Sequence, residues 1–192
     1  MGRNQTFNTT DAARAARDVF WSTGYEQASL PELEAATGLN RSSIYNTFGS
    51  KRGLFDAAVQ NYLDEVIRPH LKPLHAPTIT ADAVVNYLNG LRHAISQEAT
   101  NPTHNGCLLI NTAGAPIARD AEVQRVIAAY RAELHTAIAA GIRARHPQRP
   151  ESTVETLAQT TTALVVFAMT MARVDSTAAS NALTTAIAGI DA

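Results

Sequence analysis

Residues 29–48 read Ser29-Leu30-Pro31-Glu32-Leu33-Glu34-Ala35-Ala36-Thr37-Gly38-Leu39-Asn40-Arg41-Ser42-Ser43-Ile44-Tyr45-Asn46-Thr47-Phe48. Two short helices and a sharp turn are written into this stretch. Ser29 is a cap whose side-chain oxygen satisfies a free backbone N–H. Pro31 sits in the first turn, where its missing N–H is harmless, and Glu32 completes a capping box. The helix ends at Thr37-Gly38-Leu39, where a left-handed glycine lets the chain reverse without steric cost. Asn40 caps the next helix, which carries Arg41 to Phe48 before Gly49 ends it. Two helices joined by a turn of about four residues match the helix-turn-helix pattern. Leu33, Leu39, Ile44 and Phe48 are expected to fix the crossing angle from inside. Arg41, Ser42, Ser43, Tyr45 and Thr47 are left on the outer face, where such side chains reach base edges and phosphates in a major groove. A helix pair of this kind, taken alone, also fits a packing corner with no ligand.

Upstream, a first helix from about Thr10 to Ser22 closes at Gly24, read as a left-handed cap. Downstream, Phe55, Val59, Tyr62 and Val66 form a helical stripe ended by Pro69, and Val84, Leu88, Leu91 and Ile95 form another after Pro73 and Pro77. Val123, Val126, Ile127, Tyr130, Leu134, Ile138 and Ile142 mark one face of a long helix running to about His146, where Pro147 and Pro150 stop it. A further helix is expected from near Pro150 through Ala172, and a last one from about Thr177 to Ile190. No stretch alternates apolar and polar residues long enough for a sheet. The expected fold is all-α, with about nine helices.

The 192 residues suffice for one large or two small domains. With 45% hydrophobic and 17% charged residues the chain reads as folded and soluble, not disordered. The formal net charge of -1 means that any binding to DNA rests on local charge, not bulk attraction. Met1 to Asp11 carries no apolar run and is no secretory signal, and Ala163 to Val174 is too short and too interrupted to span a bilayer. Cys107 is the single cysteine, which fits a reducing compartment, so a cytoplasmic location is expected.

Residues 10–55 resemble the TetR family of regulators (TetR/AcrR type). The matching elements are Ala15-Ala16-x-x-Val19-Phe20, Gly24-Tyr25, Ser29, Leu33, Gly38-Leu39, Ile44-Tyr45-x-x-Phe48 and Ser50-Lys51-x-x-Leu54-Phe55, in order and at the family spacing. The resemblance implies a helix-turn-helix DNA-binding domain over residues 1–53. A long fourth helix joins it to a ligand-binding and dimerisation bundle over 54–192. By the same resemblance Tyr45 and Lys51 contact phosphates, with Lys51 at a helix N-terminus that also favours an anion, and Arg41, Ser42 and Ser43 are the main base readers. Ser29, Asn46 and Thr47 complete the expected DNA face, Thr47 standing where the family usually has a histidine. Glu34 stands where alanine is usual and Ala12 where a larger aliphatic is usual. Six basic residues (Arg3, Arg14, Arg17, Arg41, Lys51, Arg52) meet five acidic ones (Asp11, Asp18, Glu26, Glu32, Glu34) through residue 53, so position matters more than total. Arg41, Lys51 and Arg52 flank the reading helix, and Arg3 is placed to reach a minor groove. With so few phosphate contacts per subunit, useful affinity calls for a dimer on a two-fold operator.

Beyond about residue 60 the resemblance thins. Thr153 to Arg173 is apolar around most of its circumference, which suits either a central helix in a monomeric core or the family's dimer interface of the last two helices; the resemblance favours the dimer. Asn105 to Thr112 looks like a motif of one family branch in which a short helix borders the ligand pocket. Cys107, in the first turn of that helix, reads either as a thiol of lowered pKa that senses electrophiles or as a small buried hydrophobe. With only His104 as a nearby basic residue, the second reading is favoured. Periodicity suggests a pocket lined by Tyr87, Leu91, His104, Cys107, Leu108, Asn111, Tyr130, Leu134, Phe167 and Met171, suited to a mainly apolar, roughly uncharged effector. The histidines at 70, 75, 93, 104, 135 and 146 form no metal-ligand pair. No phosphate loop, nucleophile elbow or paired catalytic carboxylates stand out, so neither an enzyme nor a cofactor is expected. A protein–protein adaptor would have no use for Tyr45 and Lys51 at this spacing. The expected function is a ligand-responsive regulator, a repressor released from a palindromic operator by a small molecule.

Overall fold

The computed structural model describes residues 8–96 and 105–192; the expected sites Arg3 and His104 lie outside them. Among the described residues all regular structure is helical. It runs α1 (Thr9–Thr23), α2 (Leu30–Thr37), α3 (Arg41–Phe48), α4 (Lys51–Tyr62), α5 (Arg68–Leu71), α6 (Ala83–Ser96), α7 (Leu108–Ala113), α8 (Ala121–Arg145), α9 (Glu151–Met171) and α10 (Ser176–Asp191).

The local chemistry that specifies the head is in place. Ser29 and Glu32 form the reciprocal capping box of α2, and Gly38 closes that helix at φ 68°, ψ 9°, the left-handed turn the motif requires. The Asn40 side chain accepts from Ser43 N–H at 2.9 Å, and Ser50 accepts from Gly53 N–H at 3.0 Å. Gly24 differs from expectation: at φ 81°, ψ 166° it has positive φ but extended ψ, so it redirects the chain after α1 without forming a left-handed helical cap.

α1 packs across α2 and α4. The Phe20 ring meets Phe55 edge-on at 5.2 Å and stacks on Tyr25 at 6.1 Å. Leu33, Ile44 and Leu54 are fully buried between these helices, and Phe48 packs against them half-buried. Each such side chain adds about 1.5–3 kcal/mol of burial, so the angle between α2 and α3 is set by the core beneath it.

Pro69 does not end the fourth helix. α4 passes through a π-turn, Leu63–Ile67, directly into α5, which contains Pro69. A proline lacks an N–H and presses on the carbonyl four residues back; a widened turn just ahead of it moves that carbonyl away and lets the helix continue. The result carries His70 and Leu71 onto the face that Tyr62 and Val66 begin. α9 packs between α8 and α10, and α10 also lies on α6. Among the described residues α9 alone is long and apolar enough to cross a membrane by length and composition; here Val154, Ala158, Val165 and Ala168 are buried within the bundle.

Candidate DNA interface and ligand cavity

α3 presents one outward face. Arg41, Ser42, Tyr45 and Asn46 are exposed, Ser43 and Thr47 half-buried, and Ile44 points inward with no exposure. The phenol of Tyr45 is 39% exposed, unusual for a large ring. It carries the Arg41 guanidinium 5.6 Å above its centroid, a cation–π contact that gives both side chains a shared direction. The Lys51 ammonium lies 4.7 Å over the Tyr25 ring and donates to the Glu26 carbonyl at 3.5 Å. Burial pushes the Lys51 pKa down, against the raising pull of Glu26 and Glu32. Ser29 stands close by, its hydroxyl donating to Glu32 Oε2 at 2.7 Å. Arg41, Tyr45 and Lys51 therefore supply cationic and hydroxyl donors beside the open ends of α3 and α4, and backbone N–H groups at such ends also favour anions.

Among the described residues, the other basic side chains of the head are committed elsewhere. Arg14 pairs with Glu65 at 2.6 Å and Asp11 at 2.7 Å. Arg17, buried, donates to Asn61 at 3.0 Å and pairs with Glu65 at 3.2 Å. Arg52, expected to flank the reading helix, pairs instead with Asp56 at 2.8 Å and with Asp120, the cap of α8, at 2.9 Å. It ties α4 to the start of α8.

Two further bonds join segments distant in the sequence. Glu26 Oε1 accepts from Ile117 N–H at 2.7 Å. The indole N–H of Trp21, near the end of α1, donates to the Gly106 carbonyl at 3.1 Å.

The Arg52 hydrogen bond, with Val123 and Glu122 N–H behind it, holds the Asp120 carboxyl at about 2, below its usual 3.8. Hydrogen bonding from Arg14 and Asn61 holds Glu65 at about 2, below 4.5. A carboxylate with a depressed folded-state value stabilises the fold above its unfolded-state value, and this is lost as pH falls toward the folded one. Resistance to urea is therefore expected to fall progressively from about pH 4.5 to about pH 2. Asp120→Asn should flatten part of that slope; an identical slope in the variant would show the Arg52 pair to be inert.

A cavity of about 60 Å³ lies where Trp21, α4, α5, α6, α8 and α9 converge. Of the residues expected to line it, Tyr87, Leu91, Cys107 and Tyr130 do so. Leu108 and Asn111 sit instead on a groove between the α1–α2 loop and α7. Leu134 is fully buried and contributes to a separate groove with Ile110, Ile127 and Val166. Phe167 is 47% exposed and Met171 half-buried, and neither lines the cavity. The reason is helical phase. Val165 and Met169 are one turn apart and point inward, whereas two residues of helix turn a side chain through about 200°.

Trp21, Tyr62, Val66, His70, Leu71 and Met169 also line the cavity. The stripe through Tyr62 and Val66 signalled a buried face, but the π-turn that brings His70 and Leu71 into line has no sequence mark beyond Pro69. Cys107, 1% exposed, caps α7, and its Sγ–H donates to Tyr130 Oη at 3.7 Å.

Residues 13–58 match the family of bacterial regulatory proteins, tetR family. The HTH-type transcriptional regulator YezE of Bacillus subtilis (strain 168) is 33% identical over 147 residues, 74% of this chain and 72% of the relative. The HTH-type transcriptional repressor BdcR of Escherichia coli (strain K12) is 31% identical over 152 residues, 78% and 73% of the two chains. Among solved structures, a cysteine mutant of the TetR family regulator CifR, complexed with 26-base-pair operator DNA, superposes with TM-score 0.79 and 28% identity over 99% of each chain. A TetR regulator from Chloroflexus aurantiacus J-10-FL superposes with TM-score 0.77 and 25% identity over 95% of this chain and 94% of its own. The capped helix pair, the exposed Arg41–Tyr45 face and these relatives agree: the chain belongs to the TetR family of bacterial transcriptional regulators, DNA-binding proteins and not enzymes.

Proposed function

We propose that this protein is a cytoplasmic repressor that binds a palindromic operator as a homodimer and leaves it when a small, mainly apolar molecule enters the cavity. Residues 1–53 form the reading head and 54–192 the sensor and dimerisation unit, with α4 running through the boundary. Arg41, Ser42, Ser43 and Asn46 read base edges; Tyr45, Lys51, Thr47 and Ser29 position the head on phosphates. The relatives named as repressors, and the operator complex of CifR, support this reading. The half-exposed faces of α9 and α10, with Phe167 at their surface, are proposed as the dimer contact.

One observation carries the coupling: Trp21 belongs to α1 of the head and is also a wall of the cavity, tied to Gly106 across it. A guest that fills this cavity of about 60 Å³ bears directly on the Trp21 wall. Moving Trp21 moves α1, on which α2 and α4 are packed. A ligand shifts the DNA-binding equilibrium only by its differential affinity for the two arrangements. Trp21 is the single tryptophan, so coupling has a direct optical readout. Saturating a dimer, twice the 20.5 kDa chain by light scattering, with an operator taken from an inverted repeat in adjacent intergenic DNA is expected to shift Trp21 emission. Trp21→Phe, which keeps an aromatic ring but removes the N–H, should bind operator with altered affinity while remaining folded. Unchanged emission on operator saturation, together with unchanged affinity in Trp21→Phe, would remove Trp21 from the mechanism.

A further inference from the structure

Arg41 stands apart from the other arginines of the head. It is the first residue of α3 and is exposed. Among the described residues its guanidinium meets no carboxylate, whereas Arg14, Arg17 and Arg52 are each held in ion pairs. What it does meet is the Tyr45 ring, with 5.6 Å between the guanidinium carbon and the ring centroid. Tyr45 is one helical turn further on, and its side chain leans back toward the start of α3, which brings the ring under Arg41. The contact limits the directions that a long, flexible side chain can take and leaves its N–H fork open.

An arginine fork only donates, and it bonds best to two acceptors side by side. In the major groove guanine alone presents such a pair, O6 and N7. Adenine offers an acceptor next to a donor, thymine an acceptor next to a methyl, and cytosine a donor. A phosphate also satisfies the fork, so position has to decide. The first residues of a recognition helix meet base edges, and Arg41 begins α3. Lys51 begins α4, an end suited to a phosphate.

We infer that Arg41, steadied on the Tyr45 ring, reads the O6 and N7 edge of one guanine in each half of the operator. The inference rests on the reading of α3 as the DNA face and narrows it from base contact to a named base and two named atoms. Tyr45 is a positioning residue as well as a phosphate donor: its ring aims Arg41, and its hydroxyl does not enter the discrimination. The halves of a palindromic operator are related by a two-fold axis, so the two guanines lie on opposite strands.

In the test, the full-length protein selects its operator from random duplexes. Each base pair of the recovered site is then exchanged, in one half and in both. Dissociation constants are measured by fluorescence anisotropy, with thermal unfolding as the check that each variant is folded. One G·C pair per half is expected to cost about 5-fold when exchanged once and about 25-fold when exchanged in both halves, the lower end for a bidentate pair. 7-Deazaguanine, which lacks N7, should weaken binding at that position, and inosine, which keeps O6 and N7, should not. Arg41→Lys keeps the charge and loses the fork. The cost at that pair should fall below about 2-fold, while the salt slope and the costs at other pairs stay. Tyr45→Phe should bind all sites more weakly and keep the guanine preference, whereas Tyr45→Leu should reduce it to about 2-fold. A guanine preference that survives Arg41→Lys, or no guanine sensitive to the 7-deaza exchange, would overturn the inference and leave α3 as the DNA face. So would a loss in Arg41→Ala that is even across sequences and lowers the salt slope, which places Arg41 on a phosphate. Selection of no operator, or affinity unchanged in both Arg41→Ala and Tyr45→Ala, removes the DNA face itself, and the inference with it.

Discussion

Gly106→Ala is expected to destabilise the protein by about 3 kcal/mol and to lower its Tm by roughly 6–12 °C. Two costs add at this position. Gly106 has φ 74°, where an L-residue is penalised by about 1–2 kcal/mol. A Cβ there would lie 2.1 Å from the Met169 carbonyl oxygen and 3.3 Å from its carbon, backbone atoms of α9 that cannot rotate away. Forcing such an overlap typically costs about 1–3 kcal/mol. Relief requires the start of α7 to move off α9, and that shift pulls the Gly106 carbonyl from the Trp21 indole. Operator affinity should therefore change along with stability. Gly90→Ala is the control: it lies in α6, where an added methyl meets nothing within 4 Å, and helix propensity favours alanine there by about 0.5–1 kcal/mol. A Tm for Gly106→Ala within about 2 °C of the parent, measured by circular dichroism, would mean that α7 and α9 are not held as tightly as this geometry requires.

The head was legible in the sequence because its determinants are local. Ser29 with Glu32, Asn40 and Ser50 act within three residues of themselves, and Gly38 enforces its turn by its own φ. Which basic residues of the head are drawn into ion pairs was not legible. Besides a local acidic neighbour, Arg14, Arg17 and Arg52 each find a carboxylate 51, 48 or 68 residues away, and no local pattern encodes those distant pairs. The cavity behaves in the same way. Periodicity placed Tyr87, Leu91, Cys107 and Tyr130 on inward faces, and these meet. It also offered Phe167 and Met171, on a helix so uniformly apolar that its inward phase was ambiguous. Only packing against α8 and α10 decides that Val165 and Met169 turn inward. Trp21 carries no local sign of its place in the cavity wall. It lies in α1 by sequence and in the cavity wall by contact, and on the proposed function that dual membership couples the two.

Lys51→Ala is expected to weaken operator binding by about 100-fold, the largest effect of any outward-facing side chain in the head. A palindromic operator meets the dimer twice, so one substitution removes two phosphate contacts. At about 1.5 kcal/mol for each charge-assisted bond, the lower end of their range, the loss is about 3 kcal/mol. The salt dependence identifies the contact independently of its size. Each neutralised phosphate contributes about 0.9 to the slope of log K against log salt, so Lys51→Ala should lower that slope by about 1.8. Tyr45→Ala removes a neutral hydroxyl and the platform under Arg41. It should weaken binding by about 10-fold or more with a much smaller change in slope, because Arg41 keeps its charge. Lys51 sits on the Tyr25 ring without entering the core, so folding should be unaffected at neutral pH. Lost affinity with an unchanged slope would place Lys51 in head packing instead of on a phosphate. Unchanged affinity in both variants would leave α3 as a packing corner and remove the reading face from this part of the molecule.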